Sequence, residues 1–103
     1  MISFLKGTIL SCKPTRVVLD VQGVGYEIHI PLSTYEKIST ARSTELFIHM
    51  VVRENAILLY GFNSEEEQQI FSLLLTISGI GPSIAISILS SMTPQQILSA
   101  VKN

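Results

Sequence analysis

Short runs in which hydrophobic and polar residues alternate cover the first 62 residues, and they predict β-strands rather than helices. "FLKGTIL" and "RVVLDVQ" lie on either side of Pro14, a turn residue, and "GVGYEIHI" alternates with Ile28 on one face and His29 on the other. "TELFIHMVV" and "AILLYGF" predict two further strands, joined by the polar residues 53–55. The intervening "PLSTYEKI" breaks the alternation and predicts a short helix.

Five short strands with a helix between the third and the fourth have the order of an OB-fold, a small Greek-key barrel that often binds nucleic acid. An SH3-like barrel is the alternative that this order leaves open. The predicted fold class is therefore a five-stranded OB-fold β-barrel followed by a small helical domain.

After Phe62 the hydrophobic residues recur with the 3.6-residue period of helices. Ser64 is a predicted N-cap, and Glu67 follows three positions later, which is the arrangement of a capping box. The three consecutive acids from Glu65 to Glu67 also suit the positive end of a helix dipole. This acid cluster has a structural explanation and is not predicted to be catalytic.

Two more helices are predicted in the last third of the chain. One starts at Pro82, because proline fits the first helical position, and the other starts at Thr93, where Gln96 completes a second capping box. We expect one module at residues 1–62 and a helical module at residues 63–103. The later helices have more apolar residues than three short helices can cover, which predicts contact with another chain or with further sequence. These residues are Ile84, Ile86, Ile88, Leu89, Ile97, Leu98 and Val101.

An uncharged stretch, "SGIGPSIAIS" at residues 78–87, places a glycine turn between two predicted helices. Gly79 and Gly81 permit a tight turn, and the first N–H groups of the next helix have no partner within that helix. A phosphate can bind there, as in a helix–hairpin–helix that grips the DNA backbone without reading its sequence. A plain helix-to-helix turn, with the glycines as C-cap and linker, is the alternative.

The same stretch does not fit two nucleotide-binding motifs. A P-loop needs a lysine after its last glycine, and this lysine is missing. A dinucleotide fingerprint needs a preceding strand and a third glycine, but a helix precedes and Ile84 takes the third position. No cofactor is predicted.

The charge distribution does not show the basic face that is usual for a nucleic-acid binder. The net charge is −1, and residues 63–103 contain Lys102 as their only base against three acids. Cys12 is the only cysteine, which excludes an intrachain disulfide and fits a reducing compartment. With no signal peptide and no long apolar run, the chain is predicted to be cytoplasmic and not to bind a membrane.

No constellation of residues for chemistry is visible in the sequence. There is no metal-ligand spacing, no Ser/His/Asp set and no pair of carboxylates placed for acid–base work. We therefore predict no catalytic residue and no metal site.

Three stretches are distinctive in their order and spacing: "GVGYEIHIP" at 23–31, "VVRENAILLYGF" at 51–62 and "SGIGPSIAISILSSM" at 78–92. Through them the whole chain resembles the N-terminal half of the RuvA family, the Holliday-junction-binding subunits of the bacterial RuvAB branch-migration machine. The resemblance implies a homotetramer that holds a four-way DNA junction open and square-planar.

The resemblance also implies roles for particular residues. The hairpin between the last two strands is the family's acidic pin at the crossover, where Glu54 matches the first acid and Asn55 replaces the second. Arg53, which precedes the pin, is expected to reach a phosphate.

The DNA-gripping turn of the family matches this chain at Gly79, Ile80 and Gly81. Ser83 stands where the family commonly has a lysine; the resemblance implies that it contacts DNA with the turn, but a charge that neutralises phosphate is missing there. His29 lies on the polar face of its strand, where a solvated position is favoured over a DNA contact.

Partners are implied by the same resemblance. These partners are the RuvB motor ATPase and the RuvC resolvase. The chain itself is expected to be a non-catalytic subunit. A second helix–hairpin–helix and a C-terminal motor-binding domain are expected to be absent from these 103 residues, as in a truncated form of the protein. The alternative function is a tetramerisation core that binds DNA only weakly in this form.

Overall fold

A computed structural model of the chain describes residues 1–102, without the side chain of Lys102. The predicted helical module extends to Asn103, which lies outside the described residues. The elements in chain order are β1 (Phe4–Lys13), β2 (Arg16–Val21), β3 (Val24–His29), α1 (Leu32–Ile38), β4 (Ser43–Arg53), β5 (Ala56–Phe62), α2 (Glu65–Leu75), α3 (Pro82–Ser91) and α4 (Pro94–Lys102).

The five strands close into a barrel in the order β1-β2-β3-β5-β4. Strand β1 pairs with β4 through its first half and with β2 through its second half, and the register shifts between Ile9 and Ser11. Such an irregularity bends a strand, which lets β1 serve both neighbours. Strands β3 and β5 pair in parallel and complete the barrel. With α1 between β3 and β4, this is the OB-fold order, and the predicted fold class is confirmed.

Two hydrophobic cores lie side by side, one in the barrel and one under the helices. The barrel core consists of Leu5, Val17, Leu19, Ile28, Ile30, Ile38, Leu46, Ile48 and Leu59. The second core joins Tyr60 and Phe62 of β5 to buried residues of all three later helices. Because β5 contributes to both cores, the helices pack directly on the barrel. The division of the chain into modules at residues 1–62 and 63–103 stays a prediction.

Phe71 of α2 is the centre of the second core. Its ring is fully buried, and its centroid lies 5.0 Å from that of Phe62, 5.2 Å from that of Tyr60 and 5.1 Å from that of His49. These rings come from β4 and β5, so one side chain of α2 connects the helical part to two strands of the barrel.

Glu67 has a different role from the predicted one. Its N–H donates to Ser64 Oγ (3.2 Å), as expected at a helix N-cap. Its buried carboxylate, however, accepts hydrogen bonds from Ser33 Oγ (2.8 Å) and from the Asn63 amide nitrogen (2.6 Å). The predicted return bond from the Glu67 carboxylate to the backbone at Ser64 was wrong. A carboxylate shielded from water needs hydrogen-bond donors, and here they come from Ser33 in α1 and from Asn63, just before α2. The second capping box is confirmed by bonds in both directions between Thr93 and Gln96 (2.9 and 3.2 Å).

The predicted surplus of apolar surface is present in part. Leu89 and Ile97 are fully buried, whereas Ile84 remains 50% exposed and Val101 remains 40% exposed. Within residues 1–102, no single helix is long and apolar enough to cross a membrane, and α3 and α4 meet the requirement only jointly, with a bend of 120° between them.

His49 makes stability depend on pH. Its Nδ1 lies 3.1 Å from Ser72 Oγ, its ring packs on Phe71, and burial lowers its pKa below the ordinary value of 6.5. The unfolded chain therefore takes up this proton at a higher pH than the folded chain does. The stability that depends on neutral His49 is complete above pH 6.5 and is lost as the pH falls through 6.5 toward the lowered pKa.

Urea unfolding at a series of pH values measures this dependence. We expect the midpoint to fall between pH 7.5 and pH 5, and His49→Gln, which keeps a hydrogen-bonding group near Ser72 but does not titrate, to reduce the fall. An unchanged pH dependence in His49→Gln would show that other groups cause it.

Candidate nucleic-acid interface

The glycine turn between α2 and α3 is open to solvent. Gly79 has φ +88°, a left-handed conformation that favours glycine, and a side chain at Gly79 or Gly81 would meet no atom within 4 Å. Ile80 fixes the turn, because its side chain packs against the second core and its N–H donates to the Ile77 carbonyl (3.1 Å). Of the three turn residues predicted from sequence, the two glycines form the open surface and Ile80 anchors it.

The start of α3 offers free backbone donors next to this turn. Gly81 is the N-cap, with extended backbone and no capping side chain, and Pro82 has no N–H. The first helical hydrogen bond runs from the Ala85 N–H to the Gly81 carbonyl (3.0 Å). The N–H groups of Ser83 and Ile84 consequently have no acceptor within the helix, and both residues are exposed. An anion can bind to this end of the helix.

No charged side chain lines the exposed groove that runs along α3 from this end. Its residues are Ser83, Ile84, Ser87, Ile88 and Ser91. The groups that the helix itself offers to an anion are thus backbone N–H groups and the Ser83 hydroxyl at its start.

A cleft between the barrel and α3 brings Arg53 and Ser83 together, although they are separated by 30 positions in sequence. Thr15 and His29 line the same cleft, and Leu58, Tyr60 and Ile86 form its apolar part. None of these seven residues is acidic. The cleft thus extends the anion-attracting start of α3 onto the barrel.

His29 does not have the solvated position that its strand pattern suggested. It is half-buried, and its ring lies 5.3 Å from that of Tyr60. Thr15 was missed by the sequence analysis, because an exposed threonine in a turn gives no local signal of a site. Its carbonyl accepts a hydrogen bond from Ile30 N–H (3.1 Å), which fixes the β1–β2 turn against the end of β3.

The predicted pin is a two-residue turn at the tip of the β4–β5 hairpin. Arg53 pairs with Ala56 across the hairpin, and Glu54 and Asn55 between them are exposed. Neither of the two ion pairs in residues 1–102 includes Arg53 or Glu54; they join Lys6 to Glu45 and Arg16 to Glu27. Glu54 and Asn55 do not line the cleft. The structure therefore presents one acid at the tip and one base directly before it.

Residues 1–102 contain no group of three or more His, Cys, Asp or Glu side chains placed to hold a metal ion. Cys12 is a free thiol, and burial raises its pKa.

The molecule is thus an OB-fold barrel joined to a helix–hairpin–helix. Comparison with known families agrees with this class, since the family "RuvA N terminal domain" matches residues 1–61 and the family "SAM-like Helix-hairpin-helix tandem" matches residues 71–103. The chain belongs to the RuvA N-terminal domain family.

Several curated relatives carry the name "Holliday junction branch migration complex subunit RuvA". The chain is 45% identical over 103 residues to the one from Photorhabdus laumondii, 46% to the one from Citrobacter koseri and 43% over 101 residues to the one from Flavobacterium psychrophilum. These alignments cover 98–99% of this chain and 50–52% of the relatives. The chain spans about half the length of the curated relatives it matches.

Proposed function

We propose that this chain binds a four-way DNA junction as the DNA-binding part of a branch-migration complex subunit and catalyses no reaction itself. The observation that carries the proposal is the open glycine turn before α3, together with the cleft in which Ser83 of α3 meets Arg53 of the barrel, in a member of this family. The hydrogen-bond donors of both features suit a phosphodiester backbone.

The turn acts as a phosphate grip. One phosphate lies over Gly79 and Gly81 and accepts hydrogen bonds from the N–H groups at the start of α3. Ser83 adds a hydroxyl donor, and Arg53 adds a positive charge from the barrel. Such contacts bind any DNA sequence, and preference for a junction has to come from another feature of the molecule.

The pin supplies this preference. Glu54 at the hairpin tip repels phosphates, and four such tips at the centre of a homotetramer keep the strands of the crossover apart. Ordinary duplex running through the centre would bring its phosphates close to these carboxylates. With Asn55 in place of a second acid, the repulsion in this chain is weaker than in relatives with two acids.

The wider setting belongs to the same proposal. The chain would act in the cytoplasm, in DNA recombination and repair, with the RuvB motor ATPase supplying ATP hydrolysis and the RuvC resolvase as a further partner. An apolar surface that includes Val52 and Ile57 next to the pin is exposed and available for contacts within a tetramer.

A gel-shift titration with a four-way junction and a linear duplex of matched sequence tests the proposed function. We expect the junction to bind more tightly than the duplex at low salt, with both affinities falling as salt is raised. Equal binding to both DNAs would overturn the junction-specific part. Binding to neither, with a tetramer seen by light scattering, would instead identify the chain as an assembly core.

Restoring a second acid at the pin should sharpen the preference. Asn55→Asp is expected to raise the ratio of junction to duplex affinity about two- to fivefold, because a charge pair at close range in water is worth about 1 kcal/mol. Thr40→Asp is the matched control, since it adds the same charge at an exposed turn residue before β4, the strand whose other end leads into the pin. If the ratio of junction to duplex affinity changed equally in both variants, the pin would not be the cause of the preference.

A further inference from the structure

We infer that the cleft between the barrel and α3 is a second phosphodiester-binding subsite, in which the Thr15 hydroxyl and the His29 imidazole hold the DNA backbone together with Arg53. This inference rests on the proposed function and extends it to residues that neither the glycine turn nor the pin includes. The subsite takes the phosphate of a DNA strand, and the strand continues from it to the glycine turn.

The chemistry of the cleft suits a phosphodiester. Thr15 and Ser83 carry hydroxyl donors, His29 carries a ring N–H, and Arg53 can donate several hydrogen bonds in addition to its charge. Since no carboxylate lines the cleft in a chain of net charge −1, an anion meets no repulsion from its walls.

The charges around the cleft add to the same effect. In the barrel register, Arg16 stands opposite both Lys13 and His29, so two basic side chains lie next to His29 at one end of the barrel. Arg16 is partly neutralised by its ion pair with Glu27 (3.6 Å), and both side chains are about half exposed. Lys13 remains exposed at the β1–β2 turn.

Part of each wall of the cleft is held in place before any ligand binds. His29 packs on the buried ring of Tyr60, which in turn lies 5.2 Å from Phe71 in the second core. On the opposite wall, α3 is joined to α1 through a hydrogen bond from the Leu32 N–H to Ser90 Oγ (3.0 Å). The His29 ring and the α3 backbone are thus positioned in advance, which lowers the cost of ordering the site on binding, and the exposed side chains of Thr15, Arg53 and Ser83 are ordered by the ligand.

The test uses substitutions that keep shape and remove donors. Thr15→Val and His29→Phe preserve volume and ring stacking, and each should weaken the binding of both duplex and junction about fivefold, the value of one hydrogen bond. Arg53→Gln should weaken both and reduce the slope of log affinity against log salt by about 0.9. The ratio of junction to duplex affinity should stay unchanged, because the subsite holds backbone common to both DNAs.

Arg42→Gln is the matched control for lost charge. Arg42 is exposed directly before β4, and Arg53 ends that 11-residue strand, so about 36 Å of extended chain separates the two. Arg42→Gln should leave duplex affinity close to that of the original chain. Melting temperatures of all variants confirm folding, and His29→Leu, which also lacks a donor, replaces His29→Phe if the latter does not fold.

Failure of this inference can be distinguished from failure of the proposed function. If the chain does not prefer junctions but the cleft variants still weaken duplex binding, the subsite stands alone. If junctions are preferred and Thr15→Val and His29→Phe bind like the original chain, the subsite is wrong and the function stands.

Where gel shifts show no complex, NMR titration of the 15N-labelled chain with a short duplex decides. Shifts at Thr15, His29 and Arg53 support the subsite, whereas shifts confined to residues 79–84, or none, overturn it.

Discussion

Gly81→Asp is expected to weaken binding of both junction and duplex DNA by tenfold or more while leaving the melting temperature unchanged or slightly higher. Asp at the N-cap accepts hydrogen bonds from the N–H groups of the following helical turn, which here belong to Ser83 and Ile84. These are the donors that a phosphate would use. The carboxylate thus occupies the grip and also repels the phosphate.

The folded structure accommodates this side chain without strain. Gly81 has φ −96° and ψ 180°, an extended conformation that any residue adopts, and its added Cβ meets no atom within 4 Å. Asp is a better N-cap than Gly by a few tenths of a kcal/mol, and its charge is favourable at the positive end of α3. Stability and DNA affinity are therefore expected to move in opposite directions, which a simple loss of folding cannot produce.

Thermal unfolding and gel-shift titration of the same preparation measure the two effects. Gln96→Glu is the matched control, because it adds the same negative charge near the start of α4, beyond the other end of α3, and keeps the hydrogen bonds of its capping box possible. It should reduce DNA affinity far less. Equal affinity losses in the two variants would show that net charge, not the occupied grip, is responsible.

Local signals allowed the helix ends and the turn to be predicted from sequence. Gly79, Pro82 and the Thr93–Gln96 pair each act through backbone conformation or hydrogen bonds within three or four residues of themselves. The positions of the five strands along the chain followed in the same way from the alternation of hydrophobic and polar residues. These features need no knowledge of distant parts of the chain.

Glu67 shows where local reading fails. The spacing from Ser64 is that of a capping box, but the carboxylate instead accepts hydrogen bonds from Ser33, which lies 34 positions away, and from Asn63. A buried carboxylate is stabilised more by well-placed donors than by one exposed backbone N–H. The position of α1 over the start of α2, which decides the outcome, is a property of the packed molecule.

The cleft could not be predicted for a related reason. Thr15, His29, Arg53 and Ser83 come from the β1–β2 turn, β3, β4 and α3, and they meet only because the helices pack against the barrel. The family resemblance pointed to Arg53 and Ser83 as separate contacts. That they share one surface with His29 and Thr15 is a result of the structure.

Phe71→Ala is expected to lower the free energy of unfolding by about 3–5 kcal/mol, which is a large part of the 5–15 kcal/mol available to a domain of this size. The substitution removes a fully buried ring from contact with Tyr60, Phe62 and His49 and leaves a cavity between α2 and the barrel. Urea unfolding followed by circular dichroism measures the loss.

Phe4→Ala is the matched control for this loss. Phe4 is partly exposed and has one edge contact with Phe47, at a centroid distance of 5.5 Å. Its loss should cost no more than about 1.5 kcal/mol, the value of one aromatic pair. Equal costs at Phe4 and Phe71 would contradict a core centred on Phe71.

The same substitution should affect DNA binding under conditions in which the variant remains folded. Phe71 supports Tyr60, Tyr60 supports His29, and α2 leads into the turn that positions α3, so both walls of the cleft depend on this ring. Duplex affinity should therefore fall in Phe71→Ala by more than in Phe4→Ala, with partial recovery in Phe71→Leu, which refills most of the cavity. Unchanged affinity in folded Phe71→Ala would mean that the turn binds DNA independently of how the helices are held on the barrel.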